Sequence, residues 1–434
     1  MIDPIIFGTI LIGLLLVLVL CRVPVAVALG VSSFITIIMS IGFEEGSFIA
    51  AQRMVSGVNS VTLLAIPFFV LAGSLMNNGG IAGRLIDAAG VIVGRMPGSL
   101  AQTNVVANAL FGSVSGAAVA SAAAVGSVVG PKQKAQGYST PFAAAANVAS
   151  APSGMLIPPS NTLIVYSLVS GTSVAALFMA GYLPGILWML GCIAVVWFLT
   201  RKKPELRDTE KPSVKVVTTT LLRAVPSILM IVVVIGGILI GFFTPTESAA
   251  IAVTYALILG FVYKAITVRD LPGIILNATT TTVIIIFLVA VSSIMSWAMA
   301  VSGLPSVITE GILSLTDNTV VIMVMITIIL LLIGTILDPT PAILIFVPVF
   351  LPIVTELGID PIHFGILVTF NLCLGTITPP VGVTLFVGVK IAGARFEQVA
   401  KALLPFFVVL IILLFVVVFV PQLSLALPGL VGLN

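Results

Sequence analysis

The sequence predicts an all-α integral membrane protein made of two oppositely inserted halves, each holding a re-entrant hairpin and a broken helix. Three observations carry this. Of 434 residues, 59% are hydrophobic and 8% charged, and the mean hydropathy is +1.30. The pair Pro-Pro occurs twice, in Gly154-Met155-Leu156-Ile157-Pro158-Pro159 and Gly375-Thr376-Ile377-Thr378-Pro379-Pro380. Finally, the sparse basic residues sort the apolar runs by side, because short cytoplasmic loops are enriched in Lys and Arg.

Spans are expected at 4–21, 23–42, 61–77, 138–170 and 173–200, and then at 224–243, 247–264, 273–300, 362–391 and 403–428. Each run, with its flanks, approaches the roughly 20 residues a membrane helix needs. Asp3 precedes the first run and no Lys or Arg does, which is the wrong n-region for a cleaved signal; a retained helix is expected. The linker RKKPELRDTEKPSVK at 201–215 holds six of the eighteen basic residues and fixes the cytoplasmic side. Arg22, Lys264, Arg269, Lys390, Arg395 and Lys401 then also fall inside, and both termini outside. The halves are 1–200 and 216–434. Stretches 44–60, with Arg53, and 78–97, with Arg84 and Asp87, read as amphipathic interfacial arms.

Two apolar stretches do not fit as crossings. Leu100–Pro131 is flanked by Arg95 and by Lys132 and Lys134, so both ends belong to the cytoplasm. Val320–Val354 is flanked by Asp317 and by Glu356 and Asp360, with no basic residue near, so both ends belong outside. One long tilted helix is the plainer reading of such a run, but the matched flanks favour folding back. Arms of about 14–17 residues are roughly 21–25 Å long, short of the ~30 Å hydrocarbon core. Hairpins at about 100–131 and 320–354 are therefore expected to re-enter.

The halves share a register. Gly80 pairs with Gly303, Gly112 with Gly334, Gly137 with Gly358 and Gly154 with Gly375, at offsets of 221 to 223 residues. Basic residues precede the first broken helix and follow the second, so the copies insert in opposite directions, as in alternating-access transporters.

Consecutive prolines remove backbone donors and stop a helix. Broken backbone survives in lipid only where it faces protein, water or an ion. Carbonyls with Ser and Thr hydroxyls form a hard oxygen cage suited to Na⁺, whereas half-helix N-termini suit a carboxylate. A first cation site is expected from Ser113, Ser115, Gly116, Gly154, Pro158 and Ser160. A second is expected from Gly334, Thr335, Asp338, Thr376, Thr378, Pro379 and Gly382. Asn161 and Thr384, just past the breaks, are the candidate substrate contacts. Small residues in the first hairpin also allow close packing, and each serine can bond its own helix. Asp338 has two readings, a helix cap before Pro339 or an intramembrane ion ligand, and both can hold. Thr246 or Thr244, with Glu247, caps a helix. His363, Cys21, Cys192 and Cys373 read as structural, since no metal spacing joins them. A net charge of +3 does not call for a nucleic-acid partner.

Several series go further. PFFVLAGSLMNNGGIAGRL, FGSVSGAAVASAAAVG, GMLIPPSNTLIVYSLVSGTSVAALFMAGYLPG, LDPTPAILIFVPVFLPI and GTITPPVGVTLFVG resemble the large membrane subunit of TRAP (tripartite ATP-independent periplasmic) transporters, and the likeness spans Met1 to about Gln422. The resemblance implies a bacterial inner-membrane secondary transporter driven by sodium, with an elevator-type motion. Hairpins and broken helices would form the moving domain and the remaining helices the scaffold. Sodium would sit between hairpin tips and helix breaks, with no cofactor. Substrates would be C4-dicarboxylates, sialic acids or other sugar acids. A periplasmic substrate-binding protein and a small four-helix membrane subunit, expected as a separate polypeptide, would be the partners. With no central Arg or Lys in either hairpin or break, amides, hydroxyls and an arginine at the domain edge would hold the anion. The rival within transport is a self-sufficient sodium/carboxylate symporter of similar fold. An intramembrane enzyme lacks its motifs here, and a passive pore has no need of paired hairpins.

Overall fold

A computed structural model describes residues 3–207, 213–316 and 318–433, and every regular element among them is helical. Asp317 and linker residues 208–212 lie outside the described residues. The first half runs α1 (Pro4–Leu20), α2 (Val25–Ile41), α3 (Phe43–Val58), α4 (Ala65–Asn78) and α5 (Ile81–Val93). It continues with α6 (Ser99–Ser115), α7 (Ala118–Ala135), α8 (Thr140–Ser150), α9 (Ser153–Leu156), α10 (Asn161–Ser170) and α11 (Val174–Thr200). The second half runs α12 (Val214–Leu239), α13 (Pro245–Val262), α14 (Leu271–Ser302), α15 (Leu304–Leu315), α16 (Thr319–Gly334) and α17 (Pro339–Glu356). It ends with α18 (Pro361–Gly375), α19 (Val383–Ala392), α20 (Phe396–Phe419) and α21 (Gln422–Leu430).

Both apolar stretches with matched flanks are helix–turn–helix pairs, α6/α7 and α16/α17. Gly116 makes the first turn with φ +63°, a backbone that other residues rarely adopt. Asp338 and Pro339 start the second return helix. Seven described helical segments, α17 among them, are long and apolar enough to cross a membrane. The re-entrant reading of α16/α17 therefore rests on flank charge and not on helix length. Both Pro-Pro sites interrupt helices as expected. The first separates α9 from α10 and the second α18 from α19.

Three elements differ from expectation. α15 was not foreseen, although its N-cap Gly303 (φ +70°) twins Gly80 (φ +70°) at the start of α5. The last span, expected to reach 428, stops at Phe419, and Pro421 starts the separate α21. The third concerns α11 and α20, which the family resemblance assigns to the scaffold. They pack against the hairpins and broken helices instead. Trp188 of α11 is fully buried, donates to the Ala149 carbonyl (2.8 Å) and meets Phe370 of α18 at 4.8 Å. Tyr166 of α10 donates to the Pro361 carbonyl at 2.7 Å, so the broken helices of the two halves are joined directly.

Two packed bodies result. One comprises α1–α4 with α12–α14, where α4 lies along α13 and α14 crosses α2 and α3. The other holds α6–α11 and α16–α21. Arm α5 packs on both α6 and α12, and arm α15 on both α17 and α1. Outward-facing Leu404, Val408, Ile412 and Val416 form one exposed apolar stripe along α20. Thr244 caps α13 in a reciprocal box with Glu247, Thr246 bonding elsewhere. His363 is buried against Ser424 of α21, Cys192 and Cys373 are buried, and Cys21 is exposed.

Candidate functional site

Two of the glycines that set the repeat register touch each other in each half, Gly112 with Gly154 and Gly334 with Gly375. A methyl group added at Gly154 would stand 2.2 Å from the Gly112 Cα and carbonyl carbon. One added at Gly375 would stand 2.4 Å from the Gly334 carbonyl carbon and 2.6 Å from its oxygen. The first arm of each hairpin thus crosses the adjoining broken helix backbone against backbone, just before its tip. Gly181 and Gly185 of α11 supply the matching recess for the first break, since a methyl group on Gly181 would meet the Leu156 carbonyl oxygen at 2.2 Å.

Past each crossing, tip and break are tied. In the first half, Gly116 lies against Asn161, whose side-chain nitrogen would be 2.9 Å from an added methyl group. Ser160 caps α10, its Oγ accepting from Leu163 N–H (3.4 Å) and donating to the Met155 carbonyl. In the second half, Gly382 N–H donates to the Thr335 carbonyl (3.4 Å), and Thr384 N–H donates to the Thr376 carbonyl (3.1 Å). Gly382 holds φ +50°.

The four pieces meet in one cavity of about 570 Å³. Ser115, Gly116, Asn161, Asp338, Thr376 and Thr384 of the expected set line it. The rest are not among its walls. The Ser113, Thr335 and Thr378 hydroxyls donate to carbonyls of their own helices, at 2.9, 2.7 and 2.7 Å. Such a hydroxyl keeps lone pairs for another partner. Gly154 and Gly334 serve the backbone crossings, and Pro158 and Pro379 open the breaks.

Asp338 occupies the N-cap position of α17 but makes no capping hydrogen bond. Its side chain is exposed into the cavity, where it is the only charged group among the described lining residues. Among the described residues no arginine or lysine lines the cavity. Thr384 is fully buried and its hydroxyl has no partner among the described residues.

Sequence reasoning missed the opposite wall. Pro24–Ala26 of the α1–α2 turn and α2, Ser74 and Asn77 of α4, and Thr281, Ile284 and Leu288 of α14 complete the cavity. Arg22 precedes the first group, Arg84 follows the second and Arg269 precedes the third. The cavity therefore occupies the half of this body that positive charge assigns to the cytoplasm. Polar Ser74, Asn77 and Thr281 within apolar helices were the available signal.

Comparison with known proteins places the chain in a family. The family model for the tripartite ATP-independent periplasmic transporter DctM component matches residues 12–423. Protein YgiK of Salmonella typhimurium is 49% identical, covering 97% of both chains. The sialic acid TRAP transporter large permease protein SiaM of Vibrio cholerae is 37% identical over 89% of this chain and 91% of its own. The C4-dicarboxylate TRAP transporter large permease protein DctM of Rhodobacter capsulatus is 34% identical over 98% and 99%. Among solved structures, the YdaH transporter of Alcanivorax borkumensis shares the fold, with TM-score 0.54 at 15% identity over 86% of this chain and 88% of that one.

Proposed function

This chain belongs to the DctM-component family of tripartite ATP-independent periplasmic transporters, a multi-pass membrane transport family rather than an enzyme family, and we propose that it imports a carboxylate-bearing organic anion by sodium symport. The substrate class follows from its relatives, one named for sialic acid and one for C4-dicarboxylates. A periplasmic binding protein would deliver the acid, and a small four-helix membrane subunit would complete the complex in the inner membrane.

The observation that carries the reading is the meeting of both tips, both breaks and Asp338 in one cavity. A lone carboxylate there opposes an anionic substrate. Two unit charges 4 Å apart interact by about 4 kcal/mol at an effective dielectric of 20. A sodium ion between Asp338 and the substrate reverses that sign, so cation binding precedes anion binding. In this reading Gly334, Thr335, Thr376, Thr378, Pro379 and Gly382 complete the cage around Asp338. Ser113, Ser115, Gly116, Gly154, Pro158 and Ser160 form the other. Asn161 and Thr384, with the α10 and α19 amides beside them, face the substrate carboxylate. The hairpin-bearing body would carry both pockets past the α1–α4/α12–α14 body, with α5 and α15 as the arms that flex.

Reconstitution in proteoliposomes with the small subunit and the binding protein tests this. Uptake of a sialic acid or C4-dicarboxylate should require an inward sodium gradient and the binding protein. Vigorous uptake by this chain alone would favour the self-sufficient symporter, and uptake indifferent to sodium would remove the coupling.

A further inference from the structure

A second cavity, of about 420 Å³, lies on the cytoplasmic side between α7, α8 and α19 and is separate from the central one. Asn104, Gln133 and Asn147 are among its lining residues. Asn104 and Gln133 are almost completely buried, yet the Asn104 side-chain nitrogen and the Gln133 side-chain oxygen have no partner among the described residues. Buried polar groups without partners, facing a cavity this size, call for water.

From this cavity a polar chain runs to the first hairpin tip. The Asn108 side-chain nitrogen lies 2.9 Å from Asn104 Oδ1, 3.0 Å from Asn147 Oδ1 and 2.9 Å from Ser150 Oγ. Ser121 Oγ donates to Asn108 Oδ1 at 2.8 Å, and an added methyl group at Gly112 would find that Oγ at 3.3 Å. Ser153, beside Gly154, donates to the Ser150 carbonyl at 2.6 Å. Asn104, Asn108 and Gly112 share one face of α6 at four-residue spacing, and the run from Asn104 to Gly112 is about 12 Å long.

The second half keeps one polar member of this chain and loses the others: Ser150 corresponds to Asn371, which is fully buried and donates to the Thr327 carbonyl at 2.8 Å. Asn104, Asn108 and Asn147 correspond to Ile326, Leu330 and Val368 at the repeat offsets. All three are fully buried apolar side chains. Three intramembrane asparagines facing three aliphatic counterparts make the two half-sites chemically unequal.

We infer that this polar chain and cavity are the cytoplasmic exit of the cation held at the first tip, separate from the cavity the substrate uses. Ser, Asn and Gln oxygens with water replace a sodium ion's hydration stepwise along the route. Lys134 stands at the rim, is exposed, and is screened beyond about one Debye length. The exit route rests on the sodium-symport reading above.

Gly130 tests it, because it lines the second cavity and an added side chain there meets nothing within 4 Å. In the full complex, carrying Cys21→Ser, Gly130→Cys would be modified from the cytoplasmic side with a membrane-impermeant methanethiosulfonate. The exit route predicts at least a tenfold loss of sodium-driven uptake and of labelled-sodium exchange. Affinity for substrate should be unchanged, and substrate should not protect the thiol. Asn108→Leu should mimic the block and Asn108→Ser should partly restore exchange. Normal sodium exchange after complete modification would overturn the route while leaving symport intact. Absence of sodium dependence in the unmodified complex would instead overturn the reading beneath it.

Discussion

Adding one methyl group at Gly375 probes the crossing that holds hairpin tip to helix break. Its Cβ would stand 2.4 Å from the Gly334 carbonyl carbon and 2.5 Å from its Cα. Carbon atoms rest at about 3.5–4.0 Å, so the two backbones must separate by about 1 Å. Both contacting atoms are backbone, and no side-chain rotation relieves the clash. Overpacking of this kind costs about 1–3 kcal/mol. The functional loss should exceed the stability loss, because a 1 Å misplacement of positioned groups costs on the order of 100-fold in rate. Gly375→Ala should therefore fold with reduced thermal stability, as read by fluorescence-detected size exclusion. Sodium-driven uptake in proteoliposomes should fall 10- to 100-fold. Gly154→Ala, where the clash is 2.2 Å, should behave likewise. Gly236→Ala is the control, since its Cβ meets nothing within 4 Å and alanine favours helix. Wild-type uptake and stability in both Gly375→Ala and Gly154→Ala would refute the backbone crossing.

Asp338→Asn removes the charge from the cavity wall while keeping its shape. A charge-assisted contact contributes about 1.5–3 kcal/mol, so half-saturating sodium should rise about 10- to 100-fold with expression unchanged; an unaltered sodium activation curve would exclude Asp338 from the cage. Thr384→Val deletes the buried, unpartnered hydroxyl and should raise the substrate KM several-fold while sodium activation stays put, a split that initial-rate measurements resolve. Thr244→Val breaks the capping box of α13 and should cost about 1 kcal/mol of stability, measurable by thermal shift, with transport per folded molecule preserved.

Much of this fold is written in hydropathy and charge. Pro158-Pro159 and Pro379-Pro380 stop helices wherever they stand, and Arg95 and Lys132 fold 100–131 back whatever the interior contains. The family motifs locate tip and break, yet only the fold sets Gly112 against Gly154. Two adjacent glycines leave no trace of each other in a single sequence. The allegiance of α11 and α20 was not legible for a related reason. An apolar helix in lipid looks the same whichever body it joins, because lipid and protein are equally apolar. α15 escaped notice because its amphipathic stripe is short and carries no capping side chain. Asn104, Asn108 and Asn147 are legible in the sequence. Amides at i and i+4 in a hairpin arm, with a third in an alanine-rich helix, are a polar signal that attention to tips alone discards. Among the expected site residues, backbone roles such as those of Gly154 and Gly334 could be proposed only because motif and register coincided.

Leu404, Val408, Ile412 and Val416 give α20 an outward row of branched side chains on the body that holds the hairpins and broken helices. Acyl chains must flow past that row each time the proposed carrier shifts. Turnover then inherits the fluidity and thickness of the surrounding leaflets, and the lipid becomes a frictional partner in every cycle.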